Sequence, residues 1–273
     1  MKNYYKHILS IILIFSFFIN LYYFFLTKEQ PLWWDEAEYI STAKSWAFDI
    51  PYQISSQRPP LFPLLAAITF NLGLSDLMFK FLFVLIPTVL NVLIVYMLGK
   101  EFYNKKVGLA AAFIMAVFWS IIFWTARFHP DSLVVLYFFW LTFVKKEAEK
   151  KKTRNSLLCG FFIGLSFLVK IQALLLLPIL GIFLLVYDKL NFLKKKEFWV
   201  IGVAFFVTIL PYLIWNFFKY GQAFAFAPAY AGSATSSQPF AWNMLKFVFV
   251  FTELPIFILF LIGVGVTLFT LFI

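Results

Sequence analysis

Long apolar blocks separated by short basic clusters alternate along this chain, and the alternation predicts its elements. The blocks are residues 8–26, 77–98, 107–125, 132–144, 157–169, 171–187, 198–217 and 244–273. A spanning helix needs about 20 mostly apolar residues, so the pattern predicts about eight transmembrane helices, the fourth to sixth of them short. Residues 157–169 and 171–187 form a tight hairpin around Lys170 in this reading. The first block follows Lys2 and Lys6, but no small-residue cleavage site comes after it, so it reads as an anchor and not a signal peptide. Two shorter patterns lie between the first two blocks. Residues 36–48 set Ala, Tyr, Ile, Trp and Phe against Glu, Ser, Thr and Lys at helical spacing, which predicts an amphipathic helix lying at the membrane interface. Residues 61–72 are apolar but too short to span, and Pro59, Pro60 and Pro63 mark their start. Gly221, Gly232 and a serine-rich stretch make 218–243 a loop.

Composition supports the same picture. Hydrophobic residues make up 63% of the 273 and charged residues 13%, half the share of a soluble domain, which is about 25%. Mean hydropathy is +0.87. The fold class expected is an all-α polytopic membrane protein, with residues 1–273 forming a single membrane domain and 27–76 an outer loop that carries interfacial helices. The last block reaches Ile273 without a polar tail, as the N-terminal part of a longer chain would. Cys159 is the one cysteine, so an internal disulfide and a cysteine-based metal site are excluded.

The net charge of +10 would raise nucleic acid as a partner for a soluble protein. Here the lysines sit between apolar blocks and report topology, so the expected partner is the lipid bilayer and not nucleic acid. Lys100, Lys105 and Lys106 form one cluster; Lys145, Lys146, Lys150, Lys151, Lys152 and Arg154 a second; Lys189, Lys194, Lys195 and Lys196 a third. Two blocks separate successive clusters, so all three share a face with Lys2 and Lys6. That face is cytoplasmic by the positive-inside rule. The opposite face, outside the plasma membrane in this reading, receives 27–76, the turn at 127–131, Lys170 and 218–243.

Four groups on that outer face carry candidate chemistry. Trp33-Trp34-Asp35-Glu36-Ala37-Glu38-Tyr39 reads either as an interfacial belt in which Asp35 caps the following helix, or as a site whose carboxylate stays ionised and aimed. Arg58, just before Pro59-Pro60, is either a snorkelling side chain or a rigid bidentate fork for phosphate. In Arg127-Phe128-His129-Pro130-Asp131, Asp131 either caps the block that begins at Ser132 or joins a site; one His beside one Asp is a weak metal signal. Lys170 either snorkels or meets an anion. Taken together, two acidic turns and three cations on one face, bounded by aromatics, suit a lipid-linked anion.

The order Trp-Asp-Glu-x-x-Tyr, Arg-Pro-Pro-Leu-Phe-Pro, Arg-x-x-x-Asp and Gly-x-x-x-Gly-Leu-x-x-Leu-x-Lys resembles the GT-C membrane glycosyltransferases, in particular the protein O-mannosyltransferase-like and lipid A aminoarabinose transferase-like branch. The resemblance implies a polyprenyl-phosphate sugar donor, an acceptor hydroxyl on a protein, lipid or glycan, and an active site facing outward. It places Asp35 at the family's general base, Asp131 at its second acidic position and Arg58 at the basic residue that contacts the donor phosphate. Gln57 stands where the aminoarabinose branch has an acidic metal ligand, so no cofactor is assigned and a divalent metal has no support from the sequence. The expected catalytic residues are Asp35 and Asp131; the expected substrate-binding residues are Trp34, Glu36, Tyr39, Arg58, Arg127, His129 and Lys170. The rival class is a transporter or lipid flippase, which calls for ionisable groups near mid-span. The span interiors of this chain are instead nearly free of charge.

Overall fold

A computed structural model describes residues 2–131, 152–175, 177–178, 181–182, 184–185 and 189–228. The chain divides into two units, Met1–Phe226 and Ala227–Ile273, and the described helices belong to the first. All regular structure among the described residues is helical, as expected of an all-α membrane protein.

Helix α1 (Lys2–Thr27) has 26 residues, roughly 39 Å at 1.5 Å per residue, enough to cross a hydrocarbon core of ~30 Å. After a short linker comes α2 (Trp34–Phe48), and then α3 (Leu61–Asn71) behind Pro59 and Pro60. Helix α4 (Asp76–Phe102) is continuous over 27 residues but widens into a π turn at Phe81–Leu85. Pro87 follows that turn; its ring cannot donate to, and crowds, the carbonyl four residues back, and a locally wider turn relieves the clash. Asn104 then caps α5 (Lys105–Val117), its side-chain oxygen accepting from the Lys106 and Val107 N–H groups at 2.9 and 3.1 Å.

The single span expected over 107–125 is in fact two helices, α5 and α6 (Trp119–Trp124). Phe118 is extended between them, at ψ 112. The break is matched by a buried polar contact: the Thr125 hydroxyl donates to Asn20 Oδ1 of α1 at 2.6 Å, and Asn20 donates to the Ser16 carbonyl at 2.8 Å. Trp119 and Trp124 meanwhile lie edge-on to Tyr23 and Trp33. A straight helix gives way where these contacts to α1 and the linker hold its end.

Helix α7 (Lys152–Val169) packs on α8 (Lys196–Tyr220). A Cβ on Gly160 would lie 2.2 Å from the Ile201 carbonyl oxygen and 2.8 Å from Ala204 Cβ; one on Gly164 would lie 2.6 Å from Thr208 Cβ. Only glycine lets two membrane helices approach this closely. The paired positions rise together, so α7 and α8 run parallel and the chain must return between them. The expected return, 171–187, opens as a 3₁₀ turn at Ile171–Leu175, and much of the remainder lies outside the described residues, as do 132–144 and 244–273.

Three helices among the described residues are long and apolar enough to cross a membrane: Tyr4–Thr27, Asp76–Phe102 and Lys196–Tyr220. They correspond to three of the eight expected spans. The segment expected at 157–169 is present as the shorter apolar helix Thr153–Val169.

The core beneath the 27–76 segment joins α2 and α3 to the end of α7. Tyr39 and Ala43 of α2 meet Phe62 and Ala66 of α3, with Phe79, Phe128 and Val169. The Phe62, Phe79 and Phe128 rings sit 4.7–5.3 Å apart, centroid to centroid, within the range in which aromatic pairs attract. This cluster fixes α2 above the 127–131 turn, and the polar groups take their places from it.

Candidate active site

The first five residues of α2 carry three carboxylates, Asp35, Glu36 and Glu38, that separate onto two faces. Trp33 is the N-cap residue, and its backbone N–H donates to Glu36 Oε2 at 2.7 Å. Glu36, not Asp35, therefore satisfies the open end of the helix, and the reading of Asp35 as the cap is corrected. The helix starts two residues earlier than expected because Glu36 lies three positions past the cap, where a carboxylate can reach back to it.

Glu36 is 2% exposed. Besides Trp33 it accepts from Arg127 Nη2 at 2.5 Å and from the Phe128 N–H at 2.6 Å. Arg127 is equally buried; it also donates to Gln30 at 3.2 Å, and its guanidinium sits 4.3 Å from the centroid of the Trp33 ring. This pair ties α2 to the turn after α6. Lys80, near the N-terminal end of α4, lies beside it: the residue is buried, it has no hydrogen-bond or ion-pair partner among the described residues, and its charge is felt by Asp76, Glu36, Arg127 and Glu29.

Asp35 and Glu38, three residues apart, share the other face of α2, as helical geometry requires. Both hold Arg58, which the turn before Pro59 delivers to them. Arg58 Nη2 is 2.5 Å from Asp35 Oδ1, and its Nε is 2.5 Å from Glu38 Oε2. The guanidinium also lies 5.5 Å from the Tyr39 ring centroid, and Tyr39 itself is buried against Phe62. Arg58 does not snorkel into solvent; its side chain is mostly buried, whereas Asp35 is 47% exposed. Trp34 is 82% exposed, and its indole N–H donates to Glu38 Oε1 at 3.3 Å. Tyr52, from the segment between α2 and α3, borders the same group: burial and the Glu38 carboxylate push its phenol up, and Arg58 opposes them.

The second acidic position gathers its own partners. Lys170 Nζ donates to Asp131 Oδ1, and His129 Nδ1 lies 2.8 Å from Asp131 Oδ2. The His129 ring is tilted against Trp124 with centroids 4.6 Å apart. Burial by itself would raise the Asp131 carboxyl, but the adjoining His129 ring, followed by the Lys170 ammonium, outweighs it and holds that carboxyl well below the usual carboxylate range. Lys170, expected either to snorkel or to meet an anion, meets Asp131. The residues that Asp131 would cap if it opened a span lie outside the described residues.

The candidate residues thus fall into three bonded groups: Asp35 with Arg58, Glu36 with Arg127, and Asp131 with His129 and Lys170. Glu38, Tyr52 and Lys80 were not singled out from sequence. Glu38 carried a legible signal, its three-residue offset from Asp35, whereas nothing in the sequence links Lys80 to Glu36. Among the described residues no three His, Cys, Asp or Glu side chains gather as a cation would need. The residues here do not suit a divalent ion, since Arg58 engages both carboxylates of its face and the neighbouring Gln57 is neutral.

The family model described as dolichyl-phosphate-mannose-protein mannosyltransferase matches residues 57–215. No curated protein and no solved structure matches the chain. The matched stretch contains Arg58, Arg127, His129, Asp131 and Lys170, while α1 and α2, with Asp35, Glu36 and Glu38, precede it.

Proposed function

The chain belongs to the dolichyl-phosphate-mannose-protein mannosyltransferase family, and on that premise we propose that it moves a monosaccharide from a polyprenyl-phosphate donor to an acceptor hydroxyl at the outer face of the plasma membrane, with inversion. Membership makes it an integral membrane glycosyltransferase of the mannosyltransferase type. The family's description names dolichyl-phosphate mannose as donor and protein as acceptor, and a lipid or glycan hydroxyl would suit the same chemistry. The outward face rests on the lysine clusters.

The observation that carries the reading is the bond between Arg58 and Asp35, which sets a phosphate-binding cation and a half-exposed carboxylate side by side. In this mechanism the acceptor hydroxyl oxygen attacks the anomeric carbon from the side opposite the phosphate, while Asp35 takes the hydroxyl proton. The bond between the anomeric carbon and the phosphate oxygen breaks, and polyprenyl phosphate departs with the electron pair. Such a leaving group needs no protonation at neutral pH, so cations and not an acid should face it. Arg58 supplies one, aimed where the charge grows. Lys170 supplies the second, with Asp131 and His129 orienting it; the burial of Arg127 against Glu36 favours Lys170 for this place. The exposed Trp34 ring offers a face to the sugar or the prenyl chain, and Glu36 and Arg127 hold the 127–131 turn under α2.

Substitution at Arg58 tests the assignment. A hydrogen bond to a charged group contributes about 1.5–3 kcal/mol, so Arg58→Ala should weaken donor binding about 10- to 150-fold. Arg58→Lys should recover part of that loss, because a point charge replaces the fork. Binding of polyprenyl-phosphate mannose to the purified proteins measures both. Donor affinity unchanged in the two variants would remove Arg58 from the site.

A further inference from the structure

Arg58 is held by two carboxylates, and only one of them is needed as a base. We propose that Glu38 is a positioning residue whose task is to keep the Arg58 guanidinium in place when Asp35 gives up its share of the pair to accept a proton. The inference rests on the roles proposed above for Asp35 and Arg58 and adds a residue to them.

The geometry divides the two carboxylates. Glu38 takes Arg58 at Nε and Asp35 takes it at Nη2, so the two carboxylates hold different nitrogens of the fork. Glu38 is the more buried of the two, at 20% against 47%. Its second oxygen accepts the Trp34 indole N–H, so both of its oxygens are occupied by contacts. Asp35, more open, is reached by solvent and hence by an acceptor hydroxyl. Were Asp35 the only anchor, the guanidinium would move with it whenever the pair opens. With Glu38 gripping Nε and the Tyr39 ring beneath the guanidinium, Arg58 can turn Nη1 and Nη2 toward the donor phosphate. The phosphate then takes up the guanidinium, and Asp35 is released to meet the acceptor hydroxyl once donor is bound. The arrangement favours donor binding before acceptor deprotonation.

The test compares Glu38→Gln, Asp35→Asn and the double variant in the full-length protein, with polyprenyl-phosphate mannose as donor and release of polyprenyl phosphate as readout. Glu38→Gln should lower kcat about 100-fold, the scale on which small misplacements of reacting groups act. Its donor KM should stay within a few-fold, because Arg58 remains at the site. In the Asp35→Asn background the same change should cost little more, since both act on one step. Glu38→Asp, which keeps the charge one methylene short, should lose less than Glu38→Gln at equal donor KM, and it serves as the comparison if the Gln variant melts. An unchanged kcat in Glu38→Gln, or losses that multiply fully in the double variant, would overturn the positioning role even if Asp35→Asn is inactive. Near-normal turnover by Asp35→Asn would overturn the base and the positioning role together.

Discussion

Three carboxylates within four positions of α2 end in three different surroundings, and each surrounding sets what its side chain can do. Glu36 is buried with Arg127, and removing one partner of such a pair leaves the other charge without compensation. Arg127→Met should therefore cost about 3–5 kcal/mol, read as a lowered Tm of the purified protein; a variant that melts like the parent would show that the pair does not hold the turn. Asp35, half-exposed on the other face, should tolerate substitution far better in the same measurement. The sequence groups these acids in one loop and offers Asp35 and Arg58 as candidate site residues. It does not reveal that Glu36 turns inward, because whether a first-turn carboxylate reaches back to its N-cap depends on the neighbour that approaches. Here the neighbour is Arg127, 91 positions away. Lys80 escapes the sequence for the same reason: its closeness to Glu36 is a product of packing.

Among the elements, the helices legible from hydropathy are those whose period is long and uninterrupted. The cores of α1, α4 and α8 lie within a few residues of their expected limits, and α3 differs by one. The break at Phe118 was illegible, since apolar residues continue through it and the contact responsible, Thr125 with Asn20, joins distant positions. The parallel packing of α7 on α8 is written in part as Gly160-x-x-x-Gly164, a spacing whose use depends on what lies opposite. Gly160→Leu should disrupt that packing, because its Cβ would stand 2.2 Å from a backbone oxygen that cannot retreat. A loss of about 1–3 kcal/mol or more is expected from overpacking. Gly202→Ala on α8, whose Cβ meets nothing within 4 Å, is the control and should melt like the parent. Equal Tm values for the two variants would contradict the packing described for these helices.

Across the described residues, the lysines that open α5 and α8 and the bonded acidic groups sit at opposite ends of the apolar helices. Lys105 and Lys196 open α5 and α8, whereas Asp35, Arg58 and Asp131 lie in the connections that follow or precede spans at the other end. A family of membrane mannosyltransferases and a half-exposed carboxylate bonded to an arginine together make Asp35 the residue on which the proposed chemistry turns. The most direct measurement is sugar transfer by Asp35→Asn, at saturating donor and acceptor, in the longest chain the gene encodes. Asparagine keeps the shape, and because Asp35 does not cap α2, the substitution leaves the helix end intact. General-base assistance contributes typically 10²–10⁴-fold, so kcat should fall by about that factor while donor binding and Tm stay near those of the parent. Transfer at close to the parental rate would contradict the account.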